Sequence, residues 1–242
     1  MGLFGFGDDK QVRDTRSALE QARDPKPHGD VVTGTATRLV ENLLDVGIDG
    51  KGPFKGADRV AAEALQATGG DVEKAIDKVV SSHRTRAAGA GFITSLGGFV
   101  TLPVALPANV VEFYLLTTRM TAAIAKLRGY DIGQQQIRSA VLLSLVGADA
   151  QDLLSKAGVV ATGRLSNLAA QRLPGPALMV VNKAVGFRLL STAGKGAFSR
   201  FGKNVPIVGG VVGAGIDTWL LHKIADSARE EFPTAAGQIT AG

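Results

Sequence analysis

The sequence predicts an all-α protein: a compact multi-helix bundle with a broken apolar helix or hairpin and with Gly-rich close helix packing. Apolar residues recur with a helical period along almost the whole chain, and strand-like alternation is nearly absent. The composition agrees with this, because 45% of the 242 residues are hydrophobic and only 5% are aromatic. Small and aliphatic side chains therefore supply the core, and such side chains suit closely packed helices.

Three regions are expected along the chain. Residues 1–57 form an N-terminal unit, made of a charged helix over 9–23, a short amphipathic helix ending near Gly47 and a glycine-rich loop. Residues 58–232 form the helical domain, and residues 233–242 form a flexible tail.

Within the helical domain the apolar periodicity predicts successive helices. The predicted ranges are 58–68, 71–82, 109–127, 134–147, 159–172, 177–203 and, for the last helix, about 206 or 209 to 232. Asp71 is the expected N-cap of the second of these helices, after a Gly-Gly stop. The last helix is expected to bury Trp219, Leu220 and Ile224.

Residues 87–111 carry no charge over 25 positions, which is long enough for a membrane span. Their glycines, with Pro103 and Pro107, argue against one straight helix, because each proline removes a backbone donor and clashes with the preceding turn. We expect a broken helix or tight hairpin. The sequence leaves open whether this segment is buried in protein or enters the bilayer.

Glu112, Arg119 and Lys126 are spaced seven residues apart on the helix predicted at 109–127, so they form one narrow polar line on an apolar cylinder. The first interpretation is a solvent-facing edge of a central helix. The alternative is that Glu112 and Arg119 form the polar lining of an internal pocket.

The net charge of +5 hides a strong asymmetry. No Asp or Glu occurs from residue 153 to residue 216, whereas eight basic residues do. These are Lys156, Arg164, Arg172, Lys183, Arg188, Lys195, Arg200 and Lys203. A segment that has an amphipathic pattern, several basic residues and no acidic residue indicates an anionic partner. The predicted lipid-contacting or membrane-contacting residues are Arg164, Arg172, Lys183, Arg188, Lys195, Arg200 and Lys203.

The glycines of VPIVGGVVGAGID, residues 205–217, do not match a dinucleotide-binding fingerprint or a phosphate-binding loop. Gly209 and Gly213 are instead one helical turn apart, which lets another helix approach at backbone distance. We therefore predict close helix packing at this pair.

No catalytic constellation is evident, and the prediction leans towards a protein that is not an enzyme. The chain has no cysteine, and its three histidines have no metal-ligand spacing, so neither a metal site nor a cofactor is predicted. The basic stretch lacks Tyr and Trp for base stacking, which argues against nucleic acid as a partner. A hydrolase using Glu112 remains a minor alternative.

Two segments resemble the bacterial EcsC family. They are GFITSLGGFVTLPVALPANVVEFYLLTTRMTAAIAKLRGYDI, residues 91–132, and the glycine cluster of residues 205–217. One departure is Asp217, where the family pattern leads us to expect Asn. The resemblance implies a helical bacterial protein associated with membranes or transport operons, and it implies no catalytic residues.

These observations lead to one main functional expectation and one alternative. The chain is expected to be a cytoplasmic protein, peripheral on the inner face of the cytoplasmic membrane, that binds an anionic phospholipid surface or a lipid. The alternative is an adaptor or regulator of a membrane transporter that acts by protein–protein contact. The sequence predicts no oligomeric state.

Overall fold

The computed structural model describes residues 30–52, 54–88, 108–147, 149–159, 163–169, 171, 173–201 and 209–235. The charged helix predicted at 9–23 and most of the uncharged segment 87–111 lie outside these residues. Arg172 and Lys203 lie outside them as well. Lys156, Lys195 and Arg200 are placed in helices by their backbones alone.

The described part of the chain is helical and contains no strand, which confirms the all-α prediction. Its helices are α1 (Asp30–Asn42), α2 (Ala57–Ala67), α3 (Val72–Ala88), α4 (Ala108–Leu127), α5 (Gln135–Ser144), α6 (Asp149–Lys156), α7 (Gly175–Phe201) and α8 (Gly209–Glu231). A π-helical segment, Leu43–Ile48, continues α1, and a 3₁₀ turn, Leu165–Ala169, precedes α7.

Helix α4 lies at the centre of the fold. Its residues 114–125 are all buried, and it packs against α2, α3, α5, α8 and the π-helical segment. A helix that is apolar on nearly every side has no solvent-facing stripe and must be covered all round. Helix α7 lies against α1, α5 and α6, and α3 packs against α8.

One core includes side chains from both sides of the boundary expected at residue 57. Leu39 and Leu43, before that boundary, are fully buried and share the core with Ile76 and Leu115. The chain from Asp30 onward therefore contributes to the same hydrophobic core as the predicted helical domain.

The helix ends near residue 70 follow the local sequence. Gly69 and Gly70 have positive φ angles of 66° and 90°, a conformation that glycine adopts without steric cost. Asp71 then accepts a hydrogen bond from the backbone N–H of Lys74 at 3.0 Å, which confirms the predicted N-cap.

The helix predicted at 159–172 is wrong. The chain is instead helical over α6, and among the residues described between α6 and α7 the one helical element is the 3₁₀ turn. Gly158 and Gly163 have φ angles of 81° and 85°, so the chain leaves the right-handed helical conformation at both positions. The apolar periodicity suggested a helix, but Gly158 lies just before the predicted range and Gly163 lies within it.

Residues 233–235 of the predicted tail are held against the body of the protein. The backbone N–H of Ala235 donates to the carbonyl oxygen of Arg128 at 2.9 Å, and the Arg128 guanidinium donates to the Thr234 hydroxyl at 2.9 Å. The flexible tail predicted from residue 233 therefore does not include residues 233–235. Residues 236–242 lie outside the described part of the chain.

Candidate functional site

A groove of about 770 Å³ opens between α4, the turn after α5, α7 and α8. Its size lies in the range of small-molecule binding sites in proteins. The apolar part of its lining consists of Phe113, Leu145, Val146, Leu189, Leu220 and Ile224. Polar and charged side chains complete the lining, so the groove is amphipathic.

An ion pair between two helices forms part of the groove wall. The Nε of Arg188, on α7, donates to a carboxylate oxygen of Asp149, at the start of α6. The Arg188 and Asp149 side chains are only 14% and 6% exposed. The pair is thus largely removed from water, where each charge depends strongly on the other.

This ion pair corrects the predicted set of lipid-contacting residues. Arg188 belongs to that set, but its charge is neutralised by Asp149, an acid that precedes the acid-free segment. We therefore remove Arg188 from the residues offered to an anionic partner.

Tyr114 adds a buried hydroxyl to the same wall. Its O–H donates to the carbonyl oxygen of Leu189 at 3.4 Å. Burial raises the pKa of Tyr114 to about 12, although the nearby Arg188 charge acts in the opposite direction. The hydroxyl consequently stays protonated, and able to donate, at any physiological pH.

Trp219 and Lys223 lie on α8 beside the groove. The exposure of Trp219 differs from the prediction. Trp219 is 59% exposed and Leu220 is 37% exposed, so the expectation that both are buried is wrong. Ile224 is buried as expected. The Lys223 Nζ lies 4.8 Å from the centre of the Trp219 ring, a cation–π contact at helical i,i+4 spacing.

The acids on α8 lie towards its C-terminal end. Asp226 is bonded to Arg229 at 3.3 Å, and Glu230 follows one turn later. Lys223 makes no ion pair within the described residues. The groove lining thus changes along α8 from a cation near Trp219 to acids near the end of the helix.

The other described cations of the basic segment contact different elements. Lys183 lines a second groove of about 400 Å³ between α1 and α7, together with Glu41 and the 72% exposed Met179. Arg164 is exposed beside the 3₁₀ turn, where the N–H of Leu165 donates to Glu231 at 2.5 Å. Lys183 and Arg188 both lie on α7 but line different grooves, and Arg164 lines neither, so the structure does not bring the three cations together at one surface.

Two members of the predicted polar line are buried. Arg119 is 2% exposed; its guanidinium donates to the carbonyl oxygen of Val46 at 3.0 Å and lies 5.6 Å from the centre of the Phe54 ring. Glu112 is 8% exposed, and burial raises the pKa of its carboxyl group. The solvent-facing interpretation is thus wrong for both, although Lys126 is exposed.

The pocket-lining alternative for this pair is not supported by the grooves described above. Neither Glu112 nor Arg119 lines them. Arg119 instead holds the π-helical segment and the glycine-rich loop against α4. Its role in the described contacts is structural.

Close approach of helices occurs at a glycine that sequence analysis did not select. A Cβ on Gly186, in α7, would lie 2.6 Å from the carbonyl oxygen of Ala36, in α1. The predicted pair Gly209 and Gly213 lies in the first turns of α8, and its contacts lie outside what the structure describes. The sequence signal for Gly186 is a single glycine between Val185 and Phe187 in a predicted helix.

Two absences hold for the described residues. None of their helices is both long enough and apolar enough to cross a membrane. No group of three His, Asp or Glu side chains among them is placed to hold a metal ion together.

The fold and site define an all-α protein that is built around one largely buried helix and carries an amphipathic groove beside an exposed tryptophan. The family model described as the EcsC protein family matches residues 70–234, from the turn before α3 to just beyond α8. The chain therefore belongs to the EcsC protein family. No curated protein and no solved structure matches it significantly.

Proposed function

We propose that this EcsC protein is a binding protein that associates with an anionic membrane surface on the cytoplasmic side. The contact is made by the bases Lys195, Arg200 and Lys203 together with Trp219, Leu220 and Lys223 of α8. The observation that carries the proposal is the exposed Trp219 beside Lys223, immediately after the acid-free residues 153–216.

The chemistry of this segment suits the boundary between water and lipid. Tryptophan has an apolar ring system with one polar N–H, and it is enriched where membranes meet water. Lysine keeps its ammonium group in the headgroup layer while its methylene stem covers apolar surface. Leu220 adds an exposed aliphatic side chain at the same place.

Three bases lie in the acid-free segment before this point: Lys195 and Arg200 on α7, and Lys203 after it. Asp217 is the one acid between Lys203 and Trp219. A base near an anionic leaflet contributes about 1 kcal/mol to binding, so three contribute about 3 kcal/mol. That is roughly a hundredfold in affinity. An attraction of this size gives reversible, salt-sensitive binding and needs no membrane span.

Flotation with vesicles tests this proposal. The variant Lys195→Gln/Arg200→Gln/Lys203→Gln removes the three cations, whereas Lys74→Gln/Lys78→Gln/Lys126→Gln removes three exposed cations elsewhere with the same change in net charge. On vesicles containing phosphatidylglycerol we expect wild type and the second variant to float and the first variant to lose most binding.

Pure phosphatidylcholine vesicles and added salt complete the test. Wild type should bind the neutral vesicles weakly, and salt should release it from the anionic ones. Equal flotation on both lipids, or equal loss in both triple variants, would overturn the proposal.

A second candidate is an adaptor or regulator of a membrane transporter, and the groove between α1 and α7 favours it. Met179 is 72% exposed there, between Glu41 and Lys183, and exposed methionines are common on protein-binding surfaces. Capture of a transporter from detergent-solubilised membranes would favour this candidate if it is lost in Met179→Glu but kept in Lys195→Gln/Arg200→Gln/Lys203→Gln, the α7–α8 charge variant. Binding to pure lipid that needs only the α7–α8 cations would favour the first.

A further inference from the structure

We propose that the groove between α4, α7 and α8 binds one amphiphile, with its alkyl chain along the apolar wall and its phosphate head at Lys223. The inference rests on the proposed lipid association and adds a binding groove for a single molecule, which shares Leu220 and Lys223 with the proposed membrane contact.

The lining supports an alkyl chain. Phe113, Leu189 and Ile224 come from three different helices and face the same groove. Burial of apolar surface contributes about 25 cal/mol per Å², and a flexible alkyl chain can follow such a wall without specific hydrogen bonds. The groove volume of about 770 Å³ suits a ligand of this kind.

The charges along the groove lining determine at which end of the groove a phosphate head would bind. Asp149 is bonded to Arg188. Asp226 lies 3.3 Å from Arg229, which also binds Asp77 at 2.5 Å, so Asp226 shares its cationic partner with a second acid. Lys223 makes no ion pair among the described residues, and it stands at the Trp219 end of the groove. Glu230 lies seven residues further along α8, about 10 Å away along the helix axis, and would repel an anion at the opposite end.

The position of Lys223 also connects the groove to the proposed membrane contact. Its ammonium group lies over the ring of Trp219, the chain's one tryptophan, at 4.8 Å. A head bound at Lys223 would therefore change the surroundings of that ring, and tryptophan emission would report its arrival.

Monomeric dodecyl phosphate is the probe, and dodecyltrimethylammonium, with the same chain and the opposite charge, is its comparison. Calorimetry should show one dodecyl phosphate per chain, bound at least tenfold more tightly than the ammonium compound, with a change in Trp219 emission. Lys223→Gln should abolish this preference, whereas Lys126→Gln should keep it.

A groove-filling variant tests the location. Ser227 lines the groove and is half-buried, so Ser227→Phe should weaken dodecyl phosphate binding at least tenfold. Ser81, exposed on α3 and not part of this lining, provides the control Ser81→Phe.

The outcomes separate this site from the membrane contact. A Ser227→Phe variant that still floats with anionic vesicles but no longer binds dodecyl phosphate would support binding in the groove. Undiminished binding in Ser227→Phe, or tighter binding of the ammonium compound, would overturn the groove inference and leave the flotation result unaffected. If only the α7–α8 charge variant loses flotation, that result supports the membrane contact and does not bear on the groove.

Discussion

The guanidinium of Arg119 donates a hydrogen bond at 3.0 Å to the carbonyl oxygen of Val46, within the π-helical segment that follows α1. A π-helix shifts the hydrogen-bond register, as the bond from Asp49 N–H to the Leu44 carbonyl shows. Arg119 supplies a donor to this segment from the centre of α4, and its planar group also covers Phe54 of the glycine-rich loop.

Arg119→Leu should lower the free energy of unfolding by about 3 kcal/mol. The substitution leaves the buried Val46 carbonyl without this donor and removes the contact with the Phe54 ring. Urea denaturation measures the change. Lys126→Leu, two turns further along the same helix and exposed, is the control and should stay within about 0.5 kcal/mol of wild type.

The Asp149–Arg188 pair should show strong coupling in a double-mutant cycle. Arg188→Met alone leaves a buried carboxylate and should destabilise the fold by about 3–5 kcal/mol. Asp149→Leu/Arg188→Met removes both charges and should recover most of that loss. Additive effects of the two single changes in urea denaturation would show that the pair does not act as a unit.

Glu112 should make stability depend on pH. Because burial raises its pKa in the folded protein, the folded state holds this proton after the unfolded chain has released it. The stability that it contributes is complete below the ordinary glutamate pKa and is lost as pH rises through the raised value.

Glu112→Gln keeps a neutral side chain of similar shape, so its stability relative to wild type should increase over that pH interval. Denaturation at a series of pH values measures the difference, with Glu41→Gln as the exposed control. A difference that shrinks as pH rises would contradict the sign of this effect.

Gly186→Ala should destabilise the contact between α1 and α7. The added Cβ would lie 2.6 Å from the Ala36 carbonyl oxygen and 3.0 Å from a methyl group of Val40, so one helix must shift. Overpacking of this kind costs about 1–3 kcal/mol. Gly34→Ala, in α1, meets nothing within 4 Å and should instead stabilise the protein by up to about 1 kcal/mol. Thermal unfolding of the two variants should therefore shift in opposite directions.

Local patterns predicted the helices well where periodicity and stop signals agreed. The range 109–127 differs by one residue from α4, and the Gly-Gly stop with the Asp71 cap separates α2 from α3 as expected. At 159–172 the apolar periodicity suggested a helix, but Gly158, just before this range, and Gly163, within it, have positive φ angles. The backbone conformation of these two glycines outweighed the helical periodicity of the sequence there.

The candidate site was harder to predict, because its contacts join residues far apart in sequence. Asp149 neutralises Arg188 across 39 positions, and Arg119 reaches Val46 across 73. Neither contact can be inferred from the order of charged residues along the chain. The pairing of Trp219 with Lys223 was within reach, since i,i+4 residues on a helix share one face.

The emission of Trp219 on addition of vesicles tests the proposed membrane contact most directly, because the chain has one tryptophan and it borders the acid-free segment. Vesicles that contain phosphatidylglycerol should shift the emission to shorter wavelength, and lipids brominated on their acyl chains should quench it. Phosphatidylcholine vesicles should do neither. Protein that floats with anionic vesicles while its Trp219 emission stays unshifted and unquenched would contradict a contact at this end of α8.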